Sequence, residues 1–297
     1  MNKVFLLKVH RWISLGFALP LAAVIFTGLI LSVEPILQQR GLPTELAGAD
    51  RIADLVQRYD PEGKARGVAI NAVDHRMRLM GVNAPAIDLN TGEAAKTSAT
   101  TGDLLLWARQ THERLLGAEG LVIASTIAMT IIMILGVLMG LPRLRNSLSG
   151  WHKGAAWFTL PPLLLSPLTG LCMAFGLTFA GPPPAAPASL RLAEAVRVVA
   201  QSHDISHLAM IANRGGRLMA RVYEDGELRN YAVTAEGLKA LPRNWPRLLH
   251  EGNWSSLTGG ALNLLVSLVL AGLIGTGATL WARRQFRRRP QNLAAQD

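Results

Sequence analysis

Long apolar stretches alternate with polar segments along this chain of 297 residues. Uncharged, mostly apolar stretches cover residues 12–33, 121–142, 154–190 and 254–282. Each contains the roughly 20 residues that a helix needs to cross a hydrocarbon core of about 30 Å. The prolines from Pro182 to Pro187 cannot continue a helix, so we expect the third span to end near Ala180. The pattern predicts an integral membrane protein, mainly α, with four transmembrane helices.

The first apolar stretch is predicted to remain as an anchor. It is too long for the apolar region of a typical signal peptide, and no small-residue cleavage site is evident after it. The predicted organisation is a cytoplasmic N-terminus with the first span (1–33), an exported domain (34–106), a pre-span helix with the second span (107–142), a cytoplasmic loop (143–153), the third span (154–180), a second exported domain (181–248), the fourth span (249–282) and a basic cytoplasmic tail (283–297).

The charges predict how the chain is oriented. Segments 1–11, 142–153 and 282–297 contain eleven lysines and arginines but one acidic residue, Asp297, and this difference equals the whole net charge of +10. By the positive-inside rule, both termini and the short middle loop face the cytoplasm. The basic character therefore reflects topology and contact with the lipid bilayer, and it gives no support for nucleic-acid binding.

The two polar segments on the far side have the patterns of small folded domains. Strand-like fragments occur at 76–80 and 217–223, and amphipathic helical stretches lie near 51–59 and 189–201. We predict one small α+β domain in each segment, with one helix packed on an antiparallel sheet. The single cysteine, Cys172, lies in the third span, so no internal disulfide can form.

The chain has the pattern of an internal duplication. At an offset of 142, His10 matches His152, Pro20 matches Pro162 and the triplet from Thr27 matches the triplet from Thr169; at an offset of 138, Trp107 matches Trp245, and His112-Glu113 matches His250-Glu251. Each half is thus a helix, an exported domain and a helix in the same orientation. Parallel repeats of this kind are related by a pseudo-twofold axis along the membrane normal.

This symmetry predicts which histidines meet. His10 should face His152, and His112 should face His250. Two imidazoles on one iron form a six-coordinate haem site without an open position, which suits electron transfer, and helix bundles commonly hold such cofactors. The candidates for pairing with haem propionates are Lys8, Arg11, Lys153, Arg109 and Arg247. The same residues also allow a single haem. In that case the second histidine pair would have a structural role.

Other readings of the same residues remain. A lone histidine at a membrane boundary is more often an interfacial side chain than a ligand, and it is the matched positions that favour ligands here. His75, His203 and His207 lie in exported segments without repeat partners, so surface or local structural roles are expected. Trp107 and Trp245 have the character of interfacial anchors, and Glu113 and Glu251 are candidates for orienting the neighbouring histidines or receiving protons.

The motifs that contain these histidines resemble a known family. The opening segment 9–16, the Thr-Gly-Leu triplets, the Gly-Trp-His of residues 150–152 and the Leu-His-Glu-Gly of residues 249–252 are similar to the PepSY-associated transmembrane family, over nearly the whole chain. The resemblance implies PepSY-like exported domains and a bacterial inner-membrane reductase. In such a protein, haem b on His10, His112, His152 and His250 would pass electrons to a periplasmic ferric siderophore.

These observations predict a di-haem b-type oxidoreductase that moves electrons across the membrane to a periplasmic acceptor. Since no flavin or nicotinamide domain is visible, the donor is expected to be separate, either quinol or a cytoplasmic reductase. The 23 residues from His10 to Val33 would span about 35 Å, which is a long gap between two haems. The alternative is a non-redox scaffold or transport accessory whose exported domains bind a peptide or a partner.

Overall fold

The computed structural model describes residues 2–96, 99–142, 145–181 and 190–288 and divides the chain into two units. The membrane unit comprises residues 1–32, 108–177 and 262–297, and the sheet unit comprises residues 33–107 and 178–261. In chain order, the α-helices are α1 (Lys3–Gly16), α2 (Ala18–Leu31), α3 (Glu34–Gln38), α4 (Ala49–Tyr59), α5 (Thr101–Arg114), α6 (Glu119–Leu138), α7 (Leu148–Phe158), α8 (Leu160–Ala174), α9 (Leu192–Ala200), α10 (Trp245–Glu251) and α11 (Ser256–Arg288). The strands are β1 (Gly67–Asn71), β2 (Arg76–Met80), β3 (Ile87–Asp88), β4 (Leu208–Arg214), β5 (Arg217–Glu224), β6 (Glu227–Thr234) and β7 (Gly237–Ala240).

Among the described residues, three helical stretches are long and apolar enough to cross a membrane. They are Ala18–Gln38, Glu119–Leu138 and Leu257–Phe286. Helices α7 and α8 form a fourth candidate only if they count as one span, because they meet at a bend of 68°. The third predicted span is therefore a broken pair of helices, and α8 ends at Ala174. The prolines that were expected to stop it lie outside the described residues.

The first and third predicted spans break at matching positions. Phe17 separates α1 from α2 with φ −104° and ψ 11°, and Thr159 separates α7 from α8 with φ −108° and ψ 13°. A proline follows three residues later in each case, at Pro20 and at Pro162. Proline lacks an N–H group and its ring clashes with the carbonyl four residues earlier, so it displaces the preceding turn. The same residue type thus accounts for both breaks.

The strands form one sheet that contains both polar segments. Its order is β3-β2-β1-β4-β5-β6-β7, and every neighbouring pair is antiparallel. At its centre β1 pairs with β4, with Val68 opposite Ile211. The prediction of two separate domains is therefore wrong. The physical reason is that each set of strands alone would leave a hydrophobic strand edge unpaired. The pairing of β1 with β4 satisfies the hydrogen-bonding groups on one edge of each set of strands.

Helices α4 and α9 bury one face of this sheet. Ile52 and Ala53 of α4 are fully buried, as are Ala195 and Val196 of α9, and all four belong to a single hydrophobic core with the strand residues. The bounds of α4 and α9 agree with the two predicted amphipathic stretches, and β2 and β5 agree with the predicted strands. What the sequence did not indicate is that the two halves share this core.

Replacing Ile211 should destabilise strands from both halves of the sheet together. The side chain is fully buried at the central β1–β4 pair, so Ile211→Ala should cost about 2–5 kcal/mol of unfolding free energy. In the membrane-embedded chain, amide hydrogen exchange should then accelerate in β2 as well as in β5. Protection of β2 that stays at its original level would indicate two independently folded halves.

Candidate functional site

His10 lies on α1 and is held by helix α6. Its Nδ1 atom is 3.2 Å from the carbonyl oxygen of Ile132. A carbonyl oxygen can only accept a hydrogen bond, so Nδ1 carries the proton and Nε2 keeps its lone pair. This is the tautomer that a histidine needs in order to bind a metal through Nε2.

His152 lies on α7 and is held by helix α11. Its Nδ1 atom is 2.8 Å from the hydroxyl oxygen of Thr276. That hydroxyl donates its own proton to the carbonyl oxygen of Gly272 at 2.7 Å, so its oxygen accepts from Nδ1. The pairing of His10 with His152 on one iron stays a prediction from the sequence offset.

His112 lies on α5 and contacts helix α2. Its Nδ1 atom is 2.9 Å from the carbonyl oxygen of Val24 and 3.3 Å from the hydroxyl oxygen of Thr27. Gly28 makes the close approach possible, because a Cβ atom at that position would be 3.1 Å from Cε1 of His112. The ring is thus fixed against one turn of α2, again with Nδ1 as the donor.

The contact of His112 with α2 lies deep along the predicted first span. His10 and Val24 are 14 residues apart, or about 21 Å along a helical path that is broken at Phe17, compared with about 35 Å for the path from His10 to Val33. A sharp reversal after α5 accompanies this placement, with positive φ at Leu115, Leu116 and Gly117. His10 and the contact of His112 with α2 both lie in the membrane unit.

His250 lies on α10 of the sheet unit, beside the half-buried carboxylate of Glu251. Glu251 accepts hydrogen bonds from Arg247 at 2.7 Å, from Arg221 at 3.2 Å and from Asn253 at 3.0 Å. Since His112 and His250 belong to different units, their pairing rests on the sequence offsets alone.

The predicted propionate partners have other contacts in this structure. The Arg11 guanidinium lies 5.8 Å from the ring centroid of Trp12, and Lys153 is exposed. Arg109 lies 3.8 Å from Glu113, and Arg247 pairs with Glu251, in both cases one helical turn apart. The two glutamates that were predicted to orient histidines therefore contact arginines.

The three remaining histidines have local contacts in the sheet unit. His75 occupies a turn with φ 51°, and His207 packs against Gly41, where a Cβ atom would be 3.0 Å from its Nδ1. His203 lies edge-on to Tyr231, with 4.7 Å between ring centroids. Burial and the neighbouring Glu224 carboxylate raise the pKa of Tyr231 to about 12. These contacts fit the structural roles expected from the sequence.

Sequence reasoning missed the clusters around Glu224 and Glu251. Tyr231 donates to Glu224, whose pKa that bond lowers, and Arg229 lies 3.3 Å from the same carboxylate. The partners in these clusters come together through the register of β5 with β6 and through the position of α10. A polar residue that alternates with buried ones along a strand carries no mark of which acid it will meet.

The apolar helices and the antiparallel sheet define a membrane protein with a separate sheet unit. The family model of the PepSY-associated TM region matches residues 7–284, so the chain belongs to that family. The resemblance noted in the sequence is thereby confirmed. No curated protein matches the chain.

Proposed function

We propose that this protein is a haem b-containing membrane oxidoreductase that moves electrons across the bilayer. One observation carries the proposal: His10, His112 and His152 each donate from Nδ1 to an oxygen on a neighbouring helix. Metal-binding histidines are characteristically held in this way, because the bond fixes the ring and leaves Nε2 for the metal. An interfacial histidine facing lipid headgroups has no need of such a fixed acceptor.

Small residues near these histidines would leave room for a planar macrocycle. Gly136 lies one turn from Ile132, and a Cβ atom added there would meet no atom within 4 Å. When bound, haem would supply a one-electron Fe(III)/Fe(II) couple, and two imidazole ligands would leave no coordination position for a substrate. His10 and His152 would hold one haem, and His112 and His250 the other, with a single haem as the alternative.

The predicted duplication supports the pairing. The breaks at Phe17 and Thr159 recur at the offset of 142 that relates His10 to His152. Thr27 and Thr169, also 142 apart, each bond through the hydroxyl to carbonyls three and four residues earlier. An antiparallel strand pair at the centre of the sheet is compatible with a twofold axis between the halves. We propose that this axis runs along the membrane normal.

The proposed direction of transfer follows the charge distribution. Both termini and the loop at 143–153 would face the cytoplasm of a bacterial inner membrane, and the sheet unit would face the periplasm. The donor would be quinol or a separate cytoplasmic reductase, and the acceptor would be a ferric siderophore. Fe(II) is a softer, less charged ion than Fe(III). Reduction of the bound Fe(III) would therefore weaken its bonds to the hard siderophore oxygens and release the metal.

Electron transfer across proteoliposomes tests this function. Vesicles that contain the purified chain would receive a membrane-impermeant reductant outside and enclose a ferric chelate with a colorimetric Fe(II) trap. We expect Fe(II) to form inside these vesicles. In vesicles that contain the His10→Ala variant, Fe(II) should form only as fast as in vesicles without protein. His75→Asn is the control, because His75 belongs to the sheet unit and Asn tolerates the positive φ at this turn. Equal rates for the original chain and empty vesicles would favour the scaffold alternative.

Gly28→Ala should weaken haem binding at His112 without a change in charge or polarity. The new methyl group would lie 3.1 Å from Cε1 of His112, so the ring must shift and the Nδ1 bonds to α2 must lengthen. We expect about a 10-fold loss of affinity for one haem, as for other disturbed ligand supports. Gly120→Ala is the matched control, since its Cβ would meet nothing within 4 Å. Haem titration of the apoprotein measures both, and equal affinities would count against the ligand role of His112.

A further inference from the structure

The carboxylate next to His250 is held from three directions. Its oxygen Oε1 accepts from Arg247 of the same helix, and Oε2 accepts from Arg221 of β5 and from Asn253 beyond the helix end. The side chains of Glu251 and Arg221 are only 14% and 17% exposed. Charged hydrogen bonds in such a shielded setting are stronger than those at a surface.

The backbone at the end of α10 is tied to the same sheet. Gly252 ends the helix with φ 73°, and the Asn253 N–H donates to the carbonyl oxygen of Leu248 at 3.0 Å. The Asn253 carbonyl accepts from the N–H of Leu228 on β6, also at 3.0 Å. A helix of seven residues is too short to be stable alone, so contacts of this kind determine where α10 lies.

The matching position in the first half is built differently. Glu113 is 47% exposed, and its Arg109 partner lies 3.8 Å away. Helix α5 has 14 residues, and His112 is fixed through its own ring by Val24 of α2. Among the described contacts, no strand arginine reaches Glu113 as Arg221 reaches Glu251.

We propose that the Arg221–Glu251 bridge is the positioning element for His250, by which the sheet sets the orientation of this ligand. The role of His250 as a haem ligand rests on the proposed function, whereas the contacts that hold α10 in place do not. Arg221 does not touch the cofactor in this account. It holds the helix end from which the imidazole projects, while a hydrogen bond to α2 does the same work for His112.

The test compares Arg221→Met with a matched strand arginine. Arg78 on β2 pairs with Asp103 of α5, so Arg78→Met removes a more exposed strand-to-helix bridge nine residues from His112. In the full chain, Arg221→Met should lower the affinity of one haem by about 10-fold and change its low-spin electron paramagnetic resonance signal. Arg78→Met should leave both haem signals unchanged. Arg221→Lys, which keeps the charge, should restore part of the affinity.

A second readout needs no haem. Hydrogen exchange at the α10 amides should accelerate in Arg221→Met and in Glu251→Gln, and the double variant should be no faster than Glu251→Gln alone, because the bond of Arg221 is already lost in that variant. Unchanged exchange in α10 in both single variants, or equal haem effects of Arg221→Met and Arg78→Met, would overturn the positioning role. A chain that binds no haem but shows the accelerated exchange would refute the proposed function and keep the geometric part.

Discussion

His10→Ala and His152→Ala should each remove the same haem component, and we expect the double variant to lose no more than either single one. Each of the two rings has its Nδ1 atom engaged by a different helix. A six-coordinate site that loses one imidazole loses the low-spin state for which both are required. Losses from a ligand pair are therefore strongly non-additive.

Low-temperature reduced-minus-oxidised spectra of the three variants measure this effect. We expect about half of the haem absorbance to disappear in each, since one of two proposed haems is affected. Thr276→Val serves as a graded companion, because it removes only the acceptor of His152 Nδ1 and should shift the component rather than abolish it. Additive losses from His10→Ala and His152→Ala would mean that the two residues serve different sites.

His112→Ala and His250→Ala should remove the second component and leave the first in place. His112 is oriented by Val24 and Thr27 of α2, so its loss leaves a gap beside Gly28 without disturbing the contact of His10 with α6. The pairing of His112 with His250 derives from their matched sequence positions. The decisive result is therefore that the spectra of His112→Ala and His250→Ala lose the same component. His203→Ala is the control, since His203 contacts Tyr231 in the sheet unit.

Full haem retention in His250→Ala would contradict this pairing. Loss of both components from either variant, together with a normal sheet signal in circular dichroism, would contradict the assignment of one haem to each histidine pair. Bleaching by His203→Ala would exclude the membrane-embedded site altogether.

The sequence predicted the membrane helices better than it predicted the sheet. A run of about 20 apolar residues is a strong signal, because few soluble structures need one. The break at Phe17 was missed because its cause, Pro20, sits inside a run that is uniformly apolar. The β1–β4 pairing was missed because Val68 and Ile211 lie far apart in the chain and buried strands carry no local mark of their partner.

The candidate site divides along similar lines. The constant offset in the sequence pairs His10 with His152, and this pairing stays a prediction. Their acceptors could not be predicted, because Ile132 contributes a backbone carbonyl, which every residue has, and Thr276 is one of several threonines on apolar helices. Helix packing alone selects these atoms. The Arg221–Glu251 bridge was likewise hidden, since it depends on where α10 meets β5.

The haem-to-protein ratio of the purified full-length chain tests the central claim most directly. The chain would be expressed with ample haem, extracted in mild detergent, and measured by its alkaline pyridine haemochrome spectrum against protein determined by amino-acid analysis. We expect two haems b per chain, with the reduced spectrum of bis-imidazole coordination. A folded, colourless preparation, or one whose haem persists when His10, His112, His152 and His250 are all replaced by alanine, would contradict it.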